Sequence, residues 1–86
     1  EMIFEQYKLS TGETAQRVQK RPAKRYYDSG QTILLVPTRC SLESMFARRF
    51  NKSTSDDNFE KVYNEYAFYN TGNELGQYLR CYLIQE

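Results

Sequence analysis

The sequence predicts a small α+β domain, an antiparallel sheet of about four strands with two helices packed on one face. Its 86 residues suffice for one domain over residues 1–86 and are too few for two. Eight tyrosines and five phenylalanines supply a core that a disordered chain would lack. The predicted strands come mainly before the predicted helices, and this grouping favours α+β over an alternating α/β architecture.

A hairpin is predicted at the start of the chain. Residues 2–9 mix apolar and polar side chains in a strand-like pattern, and residues 10–12 are typical of a turn. Residues 13–20 fit either the return strand or a short helix, because Ala15 and Val18 would lie on opposite faces of a strand. We favour the strand.

The third strand has the clearest signal. Residues 32–36 are a nearly unbroken run of β-branched residues and leucine between Gly30 and Pro37, which predicts a strand buried on both faces. The preceding basic stretch, residues 17–25, contains Pro22. That proline argues against a continuous strand or helix there.

Two helices are predicted next. Ser41 is a suitable N-cap for a helix over residues 42–51. Its apolar stripe consists of Leu42, Met45, Phe46 and Phe50. Asp56 or Asp57 is a candidate cap for the second helix. Its residues at helical spacing are Phe59, Val62, Tyr63 and Tyr66. Residues 63–70 also suit a strand because they are rich in aromatics, and both interpretations stay open.

The last predicted strand covers residues 77–84. One face carries Leu79, Cys81 and Leu83, and the other carries Tyr78, Tyr82 and Ile84. Only Arg80 interrupts this apolar pattern, so we expect both faces to be covered.

Most catalytic signatures are missing from the sequence. It has no histidine, no P-loop, no GxGxxG and no EF-hand spacing, which disfavours triad catalysis and transition-metal sites. We therefore expect no cofactor and no metal, and a protein that is not an enzyme. A histidine-independent nuclease stays open, because cations and tyrosines alone can position and neutralise a phosphate. Its candidate residues are Arg17, Lys20, Arg25, Tyr26 and Tyr27.

The two cysteines, Cys40 and Cys81, are far apart and form no CxxC motif. Together with the lack of a signal-peptide pattern or a membrane-length apolar run, they indicate a cytoplasmic protein with reduced thiols. A single Cys40–Cys81 bridge is the alternative. Cys40 lies beside Arg39 and before a predicted helix, which suits a nucleophile, but an inert cysteine is the favoured interpretation.

Charge is unevenly distributed along the chain. Residues 1–52 hold ten basic and five acidic residues, a net charge of +5, and residues 53–86 hold two basic and six acidic residues, a net charge of −4. Such asymmetry suggests a nucleic acid or another acidic partner for the basic half. The strongest candidate is a basic-aromatic segment that consists of Arg17, Lys20, Arg21, Lys24, Arg25, Tyr26 and Tyr27. Cations release counterions from phosphates, and tyrosine rings stack on unpaired bases.

We therefore predict a non-enzymatic module that binds nucleic acid through the basic-aromatic segment. The alternative is a protein-interaction module, either a homodimer or an inhibitor of a nucleic-acid-handling protein, as an accessory protein of a phage or mobile element would be. That module would use an acidic, tyrosine-containing segment: Asp56, Asp57, Glu60, Tyr63, Glu65, Tyr66 and Tyr69. No membrane partner is expected.

Overall fold

A computed structural model of the chain describes residues 5–55, 57–71 and 79–85. The elements, in chain order, are β1 (Gln6–Lys8), β2 (Thr14–Val18), α1 (Lys20–Asp28), β3 (Ile33–Pro37), β4 (Arg48–Phe50), α2 (Phe59–Thr71) and β5 (Leu79–Gln85). The five strands form one sheet in the order β1-β2-β5-β3-β4, with all neighbours antiparallel. The predicted α+β class is confirmed, with five strands where about four were expected.

The central strand β5 contributes to two cores. Its alternate residues Leu79, Cys81 and Leu83 face the helices, whereas Tyr82 and Ile84 face the opposite side. Alternation along a strand sends successive side chains to opposite faces of the sheet. The prediction that both faces are covered is therefore confirmed, although Tyr78, like residues 2–4 of the first predicted strand, lies outside the described residues.

Both helices pack on one face, which we call the helix side of the sheet. Ala23 and Tyr27 of α1 and Phe59 and Tyr63 of α2 are buried there against β3 and β5. On the other face, the loop side, the segment between β3 and β4 lies over a smaller core. Its covering residues are Cys40, Leu42 and Ala47. Neither helix in the described parts of the chain has the length and apolar character that a membrane span requires.

No helix was predicted at Lys20–Asp28, where α1 forms. The expectation that no continuous strand or helix runs through residues 17–25 is confirmed, because β2 ends at Val18 and α1 begins at Lys20. Pro22 is the third residue of α1, where a backbone N–H would have no intrahelical partner, so the missing donor costs nothing. The N–H of Ala23 makes the bond to the Gln19 carbonyl, at 3.0 Å. The preceding residues do form the return strand of the hairpin, as predicted, and this strand ends at Val18.

The predicted helix over residues 42–51 is also wrong. This segment consists of turns followed by β4, whose Phe50 lies opposite Ile33 of β3. Pairing with β4 satisfies backbone groups along one edge of β3. The free energy of these inter-strand hydrogen bonds outweighs the weak helical preference of the segment. The apolar stripe is split: Leu42 packs on the loop side, Phe50 on the helix side, and Met45 is 82% exposed.

The second helix forms as predicted, and residues 63–70 belong to it. Its cap is Asn58, whose side-chain oxygen accepts a 2.9 Å hydrogen bond from the N–H of Lys61, rather than the candidate Asp57. The other candidate, Asp56, lies outside the described residues. The Tyr63 hydroxyl oxygen accepts a 3.0 Å bond from the N–H of Leu79 and so anchors α2 to the start of β5.

Candidate nucleic-acid interface

The basic residues of α1 lie on its solvent side. Ala23 and Tyr27 are fully buried against the sheet. With 3.6 residues per turn, Arg21 and Arg25 project from the opposite side of the helix, one turn apart, and both are exposed. No carboxylate in the described part of the chain lies within ion-pair distance of either guanidinium.

The two lysines of α1 are partly neutralised. The Lys20 ammonium lies 3.4 Å from the Glu60 carboxylate and 4.2 Å from the centre of the Tyr63 ring. The Lys24 ammonium lies 3.1 Å from the carboxylate of Asp28 in the next turn. Exposed pairs of this kind contribute about 0.2–1 kcal/mol each, so a phosphate can compete for both lysines.

The start of α1 is electrostatically unfavourable by itself. Its N-cap residue, Gln19, makes no side-chain capping bond, and its first turn contains no acidic residue. Lys20 and Arg21 occupy that turn, although the helix dipole favours negative charge there. An anion beside this turn would relieve the conflict.

Arg17 does not join this surface. It lies on the loop side of β2, directly opposite Tyr82 of β5, with its guanidinium carbon 5.8 Å from the centre of that ring. Arg80 of β5 is at the same distance from the ring and donates hydrogen bonds to the carbonyl oxygens of Pro37 and Cys40. The sheet therefore separates Arg17 from the cations of α1.

The two tyrosines of the segment face inward. Tyr27 is fully buried, with its ring 5.6 Å from that of Phe59, centre to centre. Its hydroxyl donates a 2.9 Å hydrogen bond to the carbonyl oxygen of Asp57. Tyr26 is half-buried and packs against the same core. The ring of Tyr27 is closed to a stacking base, so the surface of α1 offers charge rather than an aromatic platform.

Lys52 adds a cation to the α1 side that sequence reasoning missed. Its ammonium lies 3.8 Å from the carboxylate of Asp28, the residue that also pairs with Lys24. The two lysines are 28 positions apart, and no sequence motif connects them. Two further arginines, Arg48 and Arg49, lie on β4 instead.

The described residues contain no cluster of three histidine, cysteine or acidic side chains that could hold a metal ion. Both cysteines are free, so the bridge considered from the sequence does not form. Burial raises the pKa of the Cys81 thiol to about 11. Cys40 is followed by turns, and the nucleophile hypothesis loses the helix on which it depended.

No protein-family model matches this chain, and it has no significant similarity to a curated protein or to a solved structure.

Proposed function

We propose that the protein is a non-enzymatic module that binds nucleic acid through the α1 surface. This surface consists of Lys20, Arg21, Lys24, Arg25 and Lys52. It brings five cations together with two carboxylates, Asp28 and Glu60. The free cysteines support a reducing, cytoplasmic location as part of the same proposal.

The outward pair Arg21 and Arg25 carries the proposal. Both guanidiniums are exposed and have no carboxylate partner among the described residues. Like charges one turn apart destabilise an isolated helix slightly, so the pair has a cost in the free protein that a polyanion would offset. Arginine also offers a planar fork of donors that matches phosphate oxygens.

The contacts expected from this surface are contacts to phosphate. Tyr27 is buried and Tyr26 half-buried, so the rings that would read or stack unpaired bases are not presented. Phosphate contacts position a protein on nucleic acid but carry no sequence information. We therefore expect binding with little sequence preference and a strong dependence on salt.

The test is fluorescence anisotropy with labelled single-stranded RNA, single-stranded DNA and duplex DNA at two salt concentrations. The double variant Arg21→Glu/Arg25→Glu should weaken binding at least about tenfold, and Arg21→Gln/Arg25→Gln should lower the salt slope by about 2, roughly one per lost phosphate contact. The same reactions, followed for loss of intact probe, test the nuclease alternative.

The matched control is Lys8→Glu/Arg39→Glu, which changes net charge equally at exposed positions on β1 and in the loop after β3. It should retain most of the affinity. Equal losses of affinity in the two charge-reversed variants would show that binding depends on net charge and not on the α1 surface. Binding that ignores salt, or none to any of the three probes, would rule the proposal out.

A further inference from the structure

A groove of about 640 Å³ lies between β4 and α2, and none of its lining residues belongs to the α1 surface. Part of its lining is a row of aromatic rings. The rings of Phe50 and Tyr66 lie 5.5 Å apart edge to face, and those of Tyr66 and Tyr69 are stacked at 6.2 Å. Tyr69 is 72% exposed, and an accessible aromatic ring at the rim of a groove is a typical anchor point for a partner.

The groove has charges of opposite sign on its two sides. Arg48 and Arg49 line it from β4, whereas Asp57 and Glu65 line it from the segment before α2 and from α2 itself. Arg49 and Asp57 each have an ion-pair partner elsewhere in the protein. Arg48 and Glu65 have no such partner in the described part of the chain, so both charges are available to a ligand.

The backbone of β4 offers a second means of binding. It is the last strand in the order of the described sheet and pairs with β3 along one edge. No strand among the described residues pairs with its other edge. An open edge presents a row of N–H and C=O groups that can accept one more strand.

We propose that this edge and groove bind an extended peptide segment of a partner protein, which pairs with β4 as a sixth strand. An apolar side chain of the peptide lies on Tyr69, an acidic one faces Arg48 and a basic one faces Glu65. Main-chain hydrogen bonds supply affinity in this mode, and alternate side chains supply specificity. The inference does not depend on nucleic-acid binding by α1.

The charges that line the groove favour a peptide over two other occupants, nucleic acid and a second copy of the chain. Nucleic acid would bring phosphates against Asp57 and Glu65, and that repulsion is unfavourable. A second copy paired antiparallel through β4 would bring the arginines of the two strands together, and facing like charges destabilise a strand pair. A peptide with one acidic and one basic side chain meets neither objection.

The experiment is selection of random heptapeptides displayed on phage against the wild-type protein. Phage that also bind the variant Arg48→Glu/Tyr69→Ala are then removed, which leaves those that depend on these two side chains. The enriched peptides should share an apolar residue between one acidic and one basic residue. A synthetic copy of the best peptide should bind the double variant at least about tenfold more weakly than wild type, a loss of about 1.4 kcal/mol. N-methylation of its backbone should abolish binding, because the ladder donors are removed.

The control variant is Arg39→Glu/Phe68→Ala, which alters one exposed cation and one exposed aromatic residue outside the groove. It should bind the peptide like wild type, and thermal unfolding should show that both double variants are folded. A selection that enriches no peptide, or peptides that bind both double variants equally, would overturn the proposal. So would displacement of the peptide by single-stranded RNA, or a wild-type dimer that Arg48→Glu dissociates.

Discussion

The hydroxyl oxygen of Tyr27 lies 2.9 Å from the backbone carbonyl oxygen of Asp57, to which it donates a hydrogen bond. This bond joins the last turn of the basic α1 to the segment just before α2. The Tyr27 ring adds a packing contact with Phe59, the first residue of α2. A tyrosine beside a cluster of cations thus holds the two helices together, and it determines which side of α1 remains in solvent.

Removal of this hydroxyl should reduce stability without affecting nucleic-acid binding. We expect Tyr27→Phe to lower the free energy of unfolding by about 1 kcal/mol, because a partly buried carbonyl loses its donor. Tyr27→Ala should cost about 3–5 kcal/mol, because it leaves a cavity in the core. Urea unfolding measures both.

The control is Tyr7→Phe, whose hydroxyl donates to the exposed Glu5 carboxylate and whose loss should change stability by less than about 0.5 kcal/mol. Weaker RNA binding by Tyr27→Phe at unchanged stability would mean that Tyr27 contacts nucleic acid, contrary to its burial.

Glu43 should make stability depend on acid pH. Its carboxylate accepts hydrogen bonds from the side-chain hydroxyl and the backbone N–H of Ser10, and these bonds lower its pKa from the ordinary value of 4.5. They join the segment between β3 and β4 to the hairpin turn. Because the folded-state pKa is depressed, the stabilisation is present above pH 4.5 and is lost as pH falls through the folded-state value.

The measurement is thermal unfolding of wild type and Glu43→Gln at a series of pH values. The wild type should be the more stable protein near neutral pH, and the difference should shrink in acid. A difference that persists unchanged in acid would contradict the expectation.

Cys81 should make stability depend on alkaline pH. Burial between the sheet and the helices raises the pKa of its thiol from 9.0 to about 11, although Arg17 and Lys20 oppose part of this shift. The folded protein therefore keeps the proton longer than the unfolded chain. The contribution of the protonated Cys81 thiol to the free energy of unfolding is fully present below pH 9.0 and is lost as pH rises from 9.0 to about 11.

The stability difference between wild type and Cys81→Ala should accordingly be constant below pH 9.0 and shrink above it. A second readout is thiol labelling of a Cys40→Ser variant, in which Cys81 is the one remaining cysteine. Labelling should proceed only as fast as the protein opens, because the thiol is buried and protonated. Rapid labelling without denaturant would show that Cys81 is accessible.

The strands that sequence patterning located best are those with unambiguous apolar runs. In β3 and β5 nearly every position is apolar, and only burial on both faces accounts for such a run. The spacing of Phe59, Val62 and Tyr63 likewise determines a helix, because these residues share one face only at helical period. Patterning was less informative for short elements, since β4 has three residues and is ordered by its pairing with β3.

The candidate site was only partly predictable for a related reason. The cations of residues 17–25 are visible in the sequence, but a one-dimensional pattern does not say which of them share a surface. Burial of Ala23 and Tyr27 turns Arg21 and Arg25 outward, and the alternation of β2 sends Arg17 to the far side of the sheet. Lys52 lies near them because its ammonium pairs with the Asp28 carboxylate, and no local sequence pattern predicts this contact.

The sequence by itself determined the α+β class, the two doubly covered strands, the second helix and the identity of the cations, because each depends on composition or on periodicity within one segment. The tertiary structure decided that Lys20–Asp28 is a helix, that Arg48–Phe50 is an edge strand, and that Tyr27 belongs to the core. These outcomes depend on contacts between distant segments. The free energies of these contacts exceed the weak helix and strand preferences of short, polar stretches of chain.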